Sequence, residues 1–83
     1  MRLRVANLNF VATEAELREF FENYGEVAEV SINRDSTFGP PRCIAFVEMP
    51  DIPEARTAIE KLDLQRFKGR RLLVSEATPK RRY

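Results

Sequence analysis

Arg42-Cys43-Ile44-Ala45-Phe46-Val47-Glu48-Met49, stopped by Pro50, is the clearest strand in the chain and the stretch from which its fold can be read outward. Successive side chains of a strand point to opposite faces. Ile44, Phe46 and Glu48 therefore share one face with Arg42, and Cys43, Ala45, Val47 and Met49 share the other. Upstream, Asp35-Ser36-Thr37-Phe38-Gly39-Pro40-Pro41 reads as a turn-rich loop, because Gly and two Pro cannot sit inside a strand ladder. Before that loop, Val27, Val30 and Ile32 with Ser31 and Asn33 between them read as another strand.

Two helices frame these strands. Thr13-Glu14-Ala15-Glu16 has the form of a capping box, in which the Thr hydroxyl accepts from the Glu amide and the Glu carboxylate reaches back. Leu17, Phe20, Phe21 and Tyr24 then fall at i, i+3, i+4 and i+7, one apolar stripe, and Gly25 is expected to end the helix in the left-handed conformation. After Pro50, Asp51 and Glu54 look like a second such box. Ala55, Ala58, Ile59 and Leu62 repeat the stripe. Leu3 to Ala6 reads as a short first strand, Leu64 to Phe67 as a short edge strand, Lys68-Gly69-Arg70 as a turn, and Arg71 to Ser75 as the last strand.

The order is β-α-β-β-α-β, an α+β arrangement. Two helices with one apolar stripe each cover only one face of a four-stranded antiparallel sheet, so the other face is left open. The predicted domain spans residues 1–77, with Thr78 to Tyr83 as a basic tail. With 83 residues there is room for one domain, and no apolar run approaches the roughly 20 residues a membrane span requires.

Composition removes several chemistries. Without histidine there is no Ser-His-Asp triad and no common His-containing zinc site. Gly25, Gly39 and Gly69 stand apart and form no phosphate-cradling loop, and of the carboxylates only Glu48 is expected on the open face, so no enzyme and no cofactor is expected. The single Cys43 has no internal disulfide partner, which fits a reducing, cytoplasmic setting, and reads as a small buried hydrophobe.

Net charge is only +1, yet it is unevenly spread: residues 13–30 carry −5 and residues 64–83 carry +6. The acidic segments are the helices, behind the sheet. The basic ends belong to the first strand, the last strand and the tail. A fold that separates them is polarised, which suits a polyanion on one face, although ordinary solvated charge has the same look.

Two stretches resemble the signature of the RNA recognition motif family, and of its small stand-alone bacterial members in particular. Leu3-Arg4-Val5-Ala6-Asn7-Leu8 resembles the six-residue first-strand motif, and Arg42 to Met49 resembles the eight-residue third-strand motif. Phe20 to Gly25, Asn33-Arg34-Asp35 to Gly39, and Phe67 to Val74 also resemble the family's frame. The resemblance implies a ferredoxin-like sandwich that binds single-stranded RNA by stacking bases on three sheet aromatics. Here those three positions hold Arg4, Ile44 and Phe46, so one aromatic remains. Cys43 and Met49, which also depart from the motif, should face the helices and affect packing only.

The candidate RNA-binding residues are Arg4, Asn7, Asn33, Phe38, Arg42, Ile44, Phe46, Ser75, Lys80, Arg81 and Arg82. Phe46 is the stacking platform. Arg4 could stack on a base, hold a phosphate, or pair with Glu48 across strands. Ile44 offers weak apolar contact, and Asn7, Asn33 and Ser75 offer hydrogen bonds to base edges unless the backbone takes them. Phe38 is a stacking candidate in its Gly-Pro loop, and Lys80, Arg81 and Arg82 are phosphate contacts or a solubilising tail. Loss of two stacking aromatics predicts micromolar or weaker binding, modest sequence preference and a steep salt dependence. Single-stranded DNA is a further partner, because stacking and backbone charge need no ribose hydroxyl. The main rival is a protein-interaction module using Ile44, Phe46 and Leu73, or the acidic first helix. Its peptide-binding subgroup carries Arg-x-Phe where this chain has Gln65-Arg66-Phe67. A monomer with no membrane association is expected.

Overall fold

In the computed structural model, which describes residues 1–35 and 42–77, six strands and two helices follow one another as β1 (Arg2–Ala6), α1 (Glu14–Glu22), β2 (Glu29–Asp35), β3 (Arg42–Glu48), α2 (Ile52–Leu62), β4 (Arg66–Phe67), β5 (Arg70–Arg71) and β6 (Leu73–Glu76). Four strands form one antiparallel sheet in the order β2-β3-β1-β6, and β4 and β5 form a separate two-stranded ribbon. Phe38 and the rest of its loop, the tail of residues 78–83, and the side chain of Arg42 lie outside what is described.

Helix α1 starts as its sequence requires. The Thr13 hydroxyl accepts from the Glu16 amide at 3.2 Å, and the Glu16 carboxylate accepts from the Thr13 amide at 3.0 Å. Its end differs from expectation. The cap is Asn23, in ordinary right-handed geometry, and Gly25 at φ 159° is close to extended rather than left-handed. Glycine is needed there for proximity. A Cβ on Gly25 would stand 2.4 Å from Glu54 Oε1 and 2.6 Å from Glu54 Cβ. That carboxylate also explains why α2 has only half of the second box. Asp51 accepts from the Glu54 amide at 2.9 Å, but Glu54 accepts from the Glu26 amide at 3.3 Å, joining α2 to the segment after α1.

The core lies between the helices and one face of the sheet. Leu3, Val5, Ala45, Val47, Met49 and Val74 from the strands meet Leu17, Phe21, Ala55, Ala58 and Leu62 from the helices, all buried. Cys43 and Met49 join this face, as their parity requires. Burial pushes the Cys43 thiol up, which keeps it protonated and unreactive.

The last strand is not continuous. Leu72 separates β5 from β6, and its amide and carbonyl instead pair with the Gln65 carbonyl at 2.9 Å and the Leu64 amide at 2.8 Å. The edge strand is also shorter than read, because Leu64 has φ 69° and cannot belong to a regular strand. Between β4 and β5, Lys68 (φ 51°) and Gly69 (φ 83°) make the two-residue turn with both φ positive that matches strand twist. Four cations predicted for the end of the chain, Arg66, Lys68, Arg70 and Arg71, therefore sit on or at the tip of this ribbon, not on the sheet.

Candidate nucleic-acid interface

Both helices pack on the same side, and the opposite side chains of the sheet stand uncovered. Strand register sets their neighbours. Ser31 lies opposite Phe46, Phe46 opposite Arg4, and Arg4 opposite Ser75, one row across all four strands. Side chains directly opposite in such rows have Cβ atoms about 4.5–5.5 Å apart. Ser31, Arg4 and Ser75 are exposed, and Phe46 is half-buried. Nearer the β2–β3 loop, Asn33 faces Ile44, and Ala6 faces Leu73, which is 48% exposed. Ala6, which shares this face by strand parity, is buried.

The structure brings together Arg4, Asn33, Ile44, Phe46 and Ser75 on this face. Asn7 it places elsewhere. In left-handed geometry (φ 61°) just after β1, Asn7 donates Nδ2 to the Arg71 carbonyl at 2.8 Å and accepts from Arg70 Nη2 at 2.5 Å. Its side chain thus fastens the end of the sheet to the β4–β5 ribbon. Asn9 does the same through the Lys68 carbonyl at 2.9 Å. Arg34, next to the predicted Asn33, donates to the carbonyls of Phe10 (3.0 Å) and Ala12, holding the loop between β1 and α1.

Two residues of the face escaped the sequence reading. Arg2 carries its guanidinium 4.5 Å from the centroid of the Phe46 ring. Of the alternatives for Arg4, pairing with Glu48 is out of register, since Glu48 faces Arg2 and Arg4 faces Phe46. Glu29 is the second omission. It stands opposite Glu48, so two carboxylates and not one occupy the end of the face away from the β2–β3 loop. The Met1 amine lies 3.4 Å from Glu48. Glu29 precedes the apolar alternation of Val30 and Ile32, which alone marked β2, and Arg2 precedes that of Leu3 and Val5. Charged residues at strand ends leave no such mark.

A groove of about 550 Å³ lies on the other side, between α1 and the ribbon, lined by Glu16, Glu19, Phe20, Asn23, Arg66, Phe67 and Lys68. The rings of Phe20 and Phe67 pack at 4.7 Å, and Lys68 bonds Glu16 at 2.8 Å. That bond and the Thr13 amide hold the Glu16 carboxyl below the usual carboxylate range. The acidic wall of α1 is thus met by cations of the same chain, which weakens it as a receptor for a basic peptide. Among the described residues no cluster of three or more metal-ligating side chains occurs, and no helix is long and apolar enough to cross a membrane.

Comparison with known proteins places the chain in a family. The family model of the RNA recognition motif matches residues 3–73. The candidate RNA-binding protein RbpD of Nostoc sp. is 41% identical over 80 residues, covering 96% of this chain and 85% of the relative. RbpA of Synechocystis sp., named in the same way, is 38% identical over 96% of this chain and 79% of its own length. The crystal structure of RNA-binding protein PG1 superposes with a TM-score of 0.84 at 39% identity, covering 99% of each chain. Fold, both strand motifs and near end-to-end similarity agree, and the chain belongs to the RNA recognition motif family.

Proposed function

We propose that this protein binds single-stranded RNA across the open face of its sheet and does no catalysis. The observation that carries the reading is the row Ser31–Phe46–Arg4–Ser75 on the face away from the helices, an aromatic ring flanked by a cation and two hydroxyls. Phe46 stacks one base, Arg4 takes a phosphate or a second base, and Asn33 and Ser75 bond base edges. Phe38 offers a further stacking surface, and the cations Arg42, Lys80, Arg81 and Arg82 extend the contact along the backbone. Family membership, and relatives named for RNA binding, support RNA as the ligand class.

With Ile44 and Arg4 where the family stacks aromatics, the binding is modest in affinity and specificity, and single-stranded DNA competes. The functional unit is residues 1–77, with the tail as an electrostatic extension, acting as a monomer. The buried, unpaired Cys43 suits the cytoplasm.

The test is titration with a pool of short single-stranded RNAs, and separately with DNA of the same length, following backbone amides by NMR at low and physiological salt. Shifts centred on Arg4, Ile44, Phe46 and Ser75 that persist in salt are expected. Shifts restricted to Lys80–Arg82 that vanish with salt would reduce the interaction to charge attraction. Shifts absent from the sheet, with a protein captured on Ile44, Phe46 and Leu73, would give the face to a protein partner.

A further inference from the structure

The Phe46 ring is not free in the unliganded protein. The guanidinium of Arg2 lies over it at 4.5 Å from the centroid, the distance of a stacked group. No base fits between a ring and a cation that already touch. Arg2 holds this position although a carboxylate, Glu48, stands directly opposite it on β3 and no Arg2–Glu48 ion pair is made among the described residues. Arg2 is otherwise exposed, at the start of β1, with a long side chain that can move without disturbing Leu3 or Val5, whose side chains point into the core.

We propose that Arg2 is a displaceable cover on the stacking platform, a positioning residue that a nucleotide base must move aside before it can stack on Phe46. The proposal rests on the RNA reading above. The base takes the place of the guanidinium over the ring, and the freed cation swings toward the phosphate of the arriving nucleotide. Stacking therefore gains only its excess over the cation–π contact it replaces. That contact, for an exposed pair, corresponds to roughly a two- to fivefold reduction in affinity. The cover also has a polarity in salt. At low ionic strength the released charge helps to hold the backbone, and at high ionic strength only the obstruction is left.

Two measurements on the full chain test this. In the free protein the Arg2 Cδ and Nε protons should resonate upfield, shielded by the Phe46 ring, and a short single-stranded RNA should return them toward ordinary values as the Phe46 signals shift. Affinity for the same RNA should be compared between wild type and Arg2→Ala at the highest salt that still permits binding, where the variant should bind about two- to fivefold more tightly. Arg2 protons that stay shielded while Phe46 responds to RNA would overturn the cover, as would an Arg2→Ala variant that binds more weakly at high salt. If neither protein responds to RNA at all, the RNA reading fails, and the cover with it. Shielded Arg2 protons in the free state would then establish the contact as purely structural.

Discussion

Phe46 is the residue on which the affinity of the site depends, and its surroundings separate binding from stability. Its ring is half-buried on the face away from the helices, so Phe46→Ala removes a platform and leaves the core alone. Calorimetry with a short RNA should find about 1–3 kcal/mol of binding lost, with the melting transition almost unmoved. Gly25 has the opposite character. Any Cβ there meets Glu54 at 2.4 Å, and relief requires Glu54 to leave the Glu26 amide that α2 uses to hold the neighbouring segment. Chemical denaturation of Gly25→Ala should give a loss of about 1–3 kcal/mol, the usual cost of forcing extra atoms into a packed site. Cys43 was legible as an inert hydrophobe, and its raised pKa and burial make a third expectation. A thiol reagent should react slowly with the native protein and quickly in denaturant. The importance of Gly25 was legible but its reason was not, since Glu54 is remote in the chain and meets it only in the folded state.

At the scale of elements, α1 is held at its start by a device that titrates. Glu16 binds Lys68 across the groove and the Thr13 amide within the cap. A carboxylate whose folded pKa is depressed contributes stability that is complete above its unfolded pKa and is lost as pH falls through the folded value. The cap and the ribbon should therefore loosen together in acid, below the range in which ordinary glutamates protonate. Following the side-chain carboxyl carbons by NMR should give Glu16 a lower midpoint than exposed glutamates, and Lys68→Met should raise it. Thr13→Ala should cost about 1 kcal/mol in denaturant unfolding. This cap was fully legible, because its partners are three residues apart. The break at Leu72 was not. Arg71, Leu72, Leu73 and Val74 alternate exposed and buried straight through it, so the pattern of side chains carries no trace of the change in backbone partners.

For the molecule as a whole, the expected separation of charge is only partly realised on the sheet. The open face has Arg4 near its middle, and at one end Arg2 in the same row as Glu29 and Glu48, while four cations stand on or at the tip of the β4–β5 ribbon. Deleting residues 78–83 should lower the slope of log affinity against log salt by about 2, if Lys80, Arg81 and Arg82 each neutralise one phosphate of a single strand. Fold class and helix faces were legible because periodicity reports burial directly. The arrangement of charge was less so, since register decides which charged residues share a face, and no local pattern encodes register between β2 and β3 or between β1 and β3.

One consequence of the strand order concerns how the chain is made. The first strand to leave the ribosome, β1, occupies an interior position, and its register joins Leu3 to Glu76. At about 5–20 residues per second, roughly 4–15 s pass between synthesis of the two partners. Throughout that interval Leu3 and Val5 lack part of their native cover, and β1 presents an unpaired edge to neighbouring nascent chains. Vectorial synthesis thus leaves the sheet incomplete until β6 emerges. A chain stalled before Leu73 should be captured by chaperones or degraded, whereas one released after Glu76 can close the sheet at once.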